Sequence, residues 1–150
     1  MSRTVASFGG VGYAPVAPGT VGAAVASVLG AGLMQGPVWV LPLAICTVTA
    51  AGFVAIPRAV TEHQEDPSWV VIDEVAGQWI AMLALGSATW VGVILAFALF
   101  RLFDVSKVGP VGWADRQHGA IGIMVDDLIA GAMAAAVLLA LRYLWPGWLG

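Results

Sequence analysis

Four long apolar runs, separated by short stretches that hold much of the charge, constrain this chain more than any other feature of its sequence. The runs cover residues 21–35, 38–56, 75–103 and 121–145. A helix that crosses the hydrocarbon of a bilayer needs ~20 mostly apolar residues, and a helix satisfies its own backbone polar groups where no water can. The pattern predicts an all-α fold: a multi-helix integral membrane bundle, a single domain over residues 1–150. Composition agrees, because 60% hydrophobic and 10% charged residues leave too little charge to cover a water-facing surface.

Glycine and proline divide the runs further. Pro18-Gly19-Thr20 is a turn and helix start ahead of residues 21–35, and Gly36-Pro37 separates this short run from residues 38–56, so the two form a helical hairpin. Gly86-Ser87 splits residues 75–103 into two shorter helices, a second hairpin. Residues 57–67, with Arg58, Glu62, His63, Glu65 and Asp66, form one polar connection, and residues 104–119 form another. Two hairpins followed by a last helix bring the N-terminal segment and both polar connections to one side. Arg3, Arg58, Arg101, Lys107 and Arg116 then share that side, which the positive-inside tendency assigns to the cytoplasm, with Arg142 near the other.

Several function classes fall away. A net charge of -3 with only six Lys and Arg argues against nucleic-acid binding, which requires a basic surface. The single cysteine, Cys46, has no intrachain partner and reads as a small buried hydrophobe. The Gly/Pro-rich N-terminal segment lacks the apolar core of a cleavable signal peptide, so the whole chain is taken as mature.

Five of the nine acidic residues, Asp73, Glu74, Asp104, Asp126 and Asp127, sit inside or at the edge of apolar runs. An Asp at the centre of a membrane helix opposes insertion by roughly 2.5–3.5 kcal/mol, so these acids imply a protein-lined cavity and cationic partners. Mg²⁺ suits such an all-oxygen set. A zinc site fits poorly, since Cys46 and His63 stand far apart and His118 has no nearby Cys or His. Arg101, Asp104 and Lys107 recur every three residues, on one side of a helix, where the two cations can hold a phosphate and Asp104 can bind metal or orient Arg101. The segment Gly9-Gly10-Val11-Gly12 followed by Ala17-Pro18-Gly19-Thr20-Val21-Gly22 can offer backbone N–H groups to an anion at a helix start, although glycines also serve turns and close helix packing. Asp115 and His118 are candidates for acid-base chemistry. An inert network of these acids with Arg101, Lys107 and Arg116 is the competing structural reading, although five acids outnumber three bases.

The ordered blocks APGTVG at 17–22, IDEVAGQWI at 72–80, FRLFDVSK at 100–107 and WADRQHGAIGIMVDDLIAG at 113–131 resemble the phosphatidylglycerophosphatase A family over nearly the whole chain. The resemblance implies a Mg²⁺-dependent enzyme of the bacterial cytoplasmic (inner) membrane, its active site facing the cytoplasm. Its substrate would be phosphatidylglycerophosphate, hydrolysed to phosphatidylglycerol and phosphate. It also implies a central helix surrounded by others, for which the polar helix bearing the paired aspartates Asp126 and Asp127 is the candidate. Carried over by position are Asp73 and Glu74, then Arg101, Asp104 and Lys107, then Asp126 and Asp127, with Thr20 and Asp115 also matching. The catalytic set is thus Asp73, Glu74, Asp104, Asp115, Asp126 and Asp127. All but Asp115 are metal ligands, and Arg101, Lys107, Thr20 and Gly19 bind phosphate. Attack by metal-activated water and by an aspartate nucleophile both remain open, as does the oligomeric state. The alternatives from other classes are a small ion or proton transporter, since intramembrane carboxylates also line conduction paths, and a noncatalytic membrane scaffold.

Overall fold

The structure is a computed structural model, described here over residues 1–60 and 67–145. Seven α-helices are present among the described residues: α1 (Ser2–Ala6), α2 (Pro18–Leu33), α3 (Val40–Ala59), α4 (Ile72–Met82), α5 (Trp90–Ser106), α6 (Pro110–Asp115) and α7 (Gly119–Leu144). No strand occurs among these residues. Two of the helices, α3 and α7, are long and apolar enough to cross a membrane.

Helix boundaries follow local chemistry. Pro18 occupies the first turn of α2, where its missing N–H costs nothing. The split between α4 and α5 falls at Gly86-Ser87 as expected, and α5 begins where Thr89 Oγ1 accepts a hydrogen bond from Gly92 N at 3.1 Å. Three expectations shift. Pro57 and Arg58 complete α3 instead of opening a connection, and Arg58 Nη1 donates to Val54 O at 2.6 Å, satisfying a carbonyl near the helix end. The stretch expected to be wholly a connection at 104–119 contains the last residues of α5 and the short helix α6. Cys46 is exposed, not buried, because the inward stripe of α3 runs through Leu41, Ile45, Gly52 and Ile56 and leaves Cys46 on the outer face. Glu62, His63, Glu65 and Asp66 lie outside the described residues.

The core is shared by two helices. The helix α7 packs against α3, α4, α5 and α6, while the short α4 packs against α2, α3, α5 and α7. Nine of the eleven residues of α4 are buried, so the paired aspartates lie beside the most enclosed helix and not on it. Trp79 Nε1 of α4 donates to Ala26 O of α2 at 2.8 Å, satisfying a buried indole that would otherwise be orphaned.

Glycine sets the approach of α4 to α7. A Cβ on Gly131 would overlap the backbone carbonyl of Gly77, and a Cβ on Gly77 would meet Asp127 O and the Phe100 ring. Backbone cannot yield as a side-chain tip can, so small residues here permit near-contact of two helices. Gly77 lies one turn beyond Asp73, and Gly131 one turn beyond Asp127, so the crossing also brings those two carboxylates together. Gly131→Val is expected to destabilise the protein by roughly 1–3 kcal/mol through overpacking, read as a lowered Tm in detergent. An unchanged Tm would mean that the helices are not held at this distance.

Candidate active site

The acidic groups converge where α2 and α4 begin, α5 ends and α7 has run two turns. A cavity of about 300 Å³ opens there, lined by Asp73, Glu74, Arg101, Asp104, Lys107, Asp126 and Asp127, with Gly19 and Thr20 on its α2 wall. Ala17, Pro18, Ser68, Val70, Val105 and Ile123 complete the lining. Ala17 and Pro18 belong to the helix-start segment 17–22 that the sequence offers to an anion, whereas nothing in the residue types of Ser68, Val70, Val105 and Ile123 marks them as wall residues.

Backbone conformation helps to shape this cavity. Ala17 and Lys107 both have left-handed φ, at 46° and 50°, unusual values for residues with a Cβ. Ala17 turns the chain into α2. Lys107 caps α5, its N–H bonding Phe103 O at 3.1 Å, so it stands just past the helix and not on the helical side shared by Arg101 and Asp104. From this cap its ammonium folds back to Asp104 Oδ1 at 3.4 Å, reaches Asp115 Oδ1 at 3.2 Å and bonds Asp126 Oδ2. Arg101 Nη1 holds Asp104 Oδ2 at 2.5 Å.

The carboxylates form two overlapping groups. Asp73, Glu74 and Asp127 can each bring an oxygen within 4.8 Å of the others, and so can Asp104, Asp126 and Asp127, with Asp127 common to both. Asp73 Oδ1 accepts from Glu74 N at 3.0 Å, and Asp126 Oδ1 accepts from Asp127 N at 2.9 Å. These bonds leave further oxygen lone pairs on each carboxylate. Glu74 Oε1 rests against Gly19, where a Cβ would overlap it, while Glu74 Oε2 is buried without a hydrogen-bond partner. Gly19 thus gives clearance to the tip of an acid, besides presenting backbone at a helix start.

Electrostatics separate the roles of two groups at this end. The helix α4 is too short to cross a bilayer, and Glu74 stands in its first turn. Burial pushes the Glu74 carboxyl up to about 8; the bond with Asp73 opposes this rise, and the charges of Asp127 and Asp104 add to it. Burial acts to lower Lys107, but its bond to Asp126 and the surrounding carboxylates prevail and raise its pKa above the ordinary lysine value. Lys107 is therefore a fixed positive charge and not a base at neutral pH.

Five carboxylates and two cations line one cavity, and a buried carboxylate oxygen lacks a partner. This donor set fits a hard divalent cation. Asp115 and His118 are not brought to the lining: Asp115, with its side chain 43% exposed, tethers Lys107 from outside, and His118 is exposed at the start of α7. His63 lies outside the described residues.

The arrangement defines a helical protein with a carboxylate-rich, cation-bearing pocket at one end of its bundle. The family model described as Phosphatidylglycerophosphatase A matches residues 4–142, and the chain belongs to that family. A protein named Phosphatidylglycerophosphatase A from Escherichia coli is 35% identical over 144 residues, 91% of this chain and 81% of its own length. A protein of the same name from Haemophilus influenzae is 30% identical over 138 residues, covering 89% and 84%. A Bacteroides thetaiotaomicron relative with the provisional name phosphatidylinositol-3-phosphatase is 36% identical over 141 residues, covering 89% of each chain. No solved structure is a significant match.

Proposed function

We propose that this protein is a Mg²⁺-dependent lipid phosphatase of the bacterial inner membrane that hydrolyses phosphatidylglycerophosphate to phosphatidylglycerol and phosphate. The observation that carries this reading is the meeting of Asp73, Glu74, Asp104, Asp126 and Asp127 with Arg101 and Lys107 in one cavity. Family membership and the names of the Escherichia coli and Haemophilus influenzae relatives support the substrate.

In this reading the carboxylates hold divalent metal through their two groups, Asp73, Glu74 and Asp127 on one side and Asp104, Asp126 and Asp127 on the other, with Asp127 common to both. When bound, the cation supplies Lewis-acid neutralisation of the phosphoryl oxygens and lowers the pKa of a water molecule beside the phosphorus. Arg101 and Lys107 hold the remaining phosphoryl oxygens, helped by the first-turn N–H groups at Gly19 and Thr20. Asp104, gripped by Arg101 and Lys107, keeps both cations aimed at the cavity. Hydrolysis breaks the phosphorus–oxygen bond to the glycerol, whose oxygen takes up a proton as the water oxygen joins phosphorus.

Membrane placement rests on the outer surface. Val28, Leu43, Val54, Ile94, Leu102 and Leu139 are exposed on four helices, an apolar belt that lipid would cover. Trp39, Trp90, Tyr143 and Trp145 are exposed toward the end remote from the cavity, and Tyr13 and Trp113 near the cavity end, like the aromatic belts at the two membrane interfaces. The cavity then opens among the headgroups on the cytoplasmic side. The transporter alternative gains nothing from the family match. Past Asp127 the buried residues of α7 are Ala130, Gly131, Ala134 and Leu138, and no polar path continues along that helix.

The test is phosphate release from phosphatidylglycerophosphate in detergent micelles. Release should require Mg²⁺, stop with chelator and return when Mg²⁺ is restored. Because the metal-free Glu74 carboxyl is mostly protonated at neutral pH, cation binding must expel its proton. Metal affinity is accordingly expected to rise up to tenfold per pH unit below about 8 and to level off above it, read by Mn²⁺ titration across pH. Full activity in chelator would remove the metal from the mechanism.

A further inference from the structure

One polar side chain in the bundle has no role in the site described above. Gln78 is 0% exposed, and neither its Oε1 nor its Nε2 has a hydrogen-bond partner. Buried amides are rarely left so, and an orphaned one in a native core calls for a partner. Its position supplies one. Gln78 follows Glu74 by four residues in α4, which stacks the two side chains on one helix face with Cβ atoms about 5–6 Å apart. Trp79 on one side of it bonds α2, and Gly77 on the other meets Phe100 of α5. Gln78 therefore points into the wedge between α2 and α5, the same wedge in which Glu74 Oε1 lies against Gly19 one turn nearer the cavity. Glu74 Oε2 is the other buried, unpartnered polar atom of this helix.

We infer that Gln78 is a positioning residue: its amide donates to one buried water that in turn donates to Glu74 Oε2, and so holds Glu74 Oε1 toward the cation. This rests on the metal-dependent reading proposed above. A carboxylate whose second oxygen is fixed loses less freedom on binding a cation, and such supporting bonds are worth roughly 10–100-fold in metal affinity. The amide also leaves its own Oε1 available to accept from a buried water, which a second acid in the same place could not do without adding charge.

The test is Mn²⁺ binding to the full chain in detergent, followed by electron paramagnetic resonance in the absence of substrate, beside Tm for each variant. Gln78→Met keeps the shape of the side chain and removes both orphaned polar atoms, so Tm should hold or rise while the Mn²⁺ dissociation constant rises roughly 10–100-fold. Gln78→Asn, with its amide drawn back by one methylene, should show the same weakening and serves if the Met variant does not fold. In a Glu74→Gln background, Gln78→Met should add no further loss, because Gln78 acts through Glu74. A Gln78→Met protein that binds Mn²⁺ as tightly as the unmutated chain overturns the inference alone, as does an undiminished additional loss in the Glu74→Gln background. Failure of the unmutated chain to bind Mn²⁺ overturns the metal reading and this inference with it.

Discussion

Asp127→Asn is expected to lower phosphate release by roughly 10²–10³-fold or more, the scale on which loss of one preorganised electrostatic group acts in a buried site. Asp127 is the carboxylate that both acidic groups share, and it is 3% exposed. The amide keeps the shape of the side chain but not its charge, so neither group retains a full set of anionic oxygens. Tm should not fall, because a buried charge is removed without opening a cavity. Kinetics at saturating Mg²⁺ decide the cause. Activity regained at high Mg²⁺ would mark Asp127 as a metal ligand alone, whereas a deficit that persists there would mean that the carboxylate also acts on the reacting groups. Release at the unmutated rate would remove Asp127, and with it the shared site, from the chemistry.

Lys107→Met should have the second largest effect. The Lys107 ammonium contacts Asp104, Asp115 and Asp126, joining α5, the rim of α6 and α7 around the cavity. Hydrogen bonds to charged groups contribute about 1.5–3 kcal/mol each. The side chain is 32% exposed, so solvent screening favours the lower part of that range. Loss of one such contact to phosphate corresponds to roughly a 10- to 150-fold fall in kcat/KM. The variant should also lose stability, because Asp126 keeps its burial without its partner. Lys107→Arg should recover only part of the activity, since a planar guanidinium does not replace a compact ammonium placed among three carboxylates. Asp115→Asn changes a half-exposed tether on the rim and is expected to alter activity little; an effect as large as that of Lys107→Met would place Asp115 among the reacting groups instead. All four proteins can be compared in one assay of phosphate release against substrate concentration.

Much of this was written in the order of the residues. Apolar runs of helical length, broken by Gly36-Pro37 and Gly86-Ser87, specify separate helices because backbone hydrogen bonds close within a few residues and turns are local. The acids announced a cavity for an equally local reason: a carboxylate within an apolar run has to find protein or water, whatever its distant neighbours are. What depends on short range alone could also mislead. Cys46 lies in an apolar run and was expected inside, yet the run coats a helix of which only one stripe faces the core.

Tertiary structure alone decided which groups meet and how closely. That Asp127 joins both acidic sets follows from the crossing of α4 and α7 at Gly77 and Gly131, a contact between residues 54 positions apart. No local rule separates a glycine that packs two helices from one that merely loosens a turn. The return of Lys107 from a left-handed cap to Asp126 likewise depends on where α7 lies. The same holds for Gln78, whose isolation becomes visible only when every neighbour in the wedge is in place. The chain by itself thus determined its helices and the kinds of group in its pocket, because periodicity, turns and the cost of burying charge act over one or two turns. The packing of those helices chose the partners, because contact between distant residues is a property of three-dimensional fit.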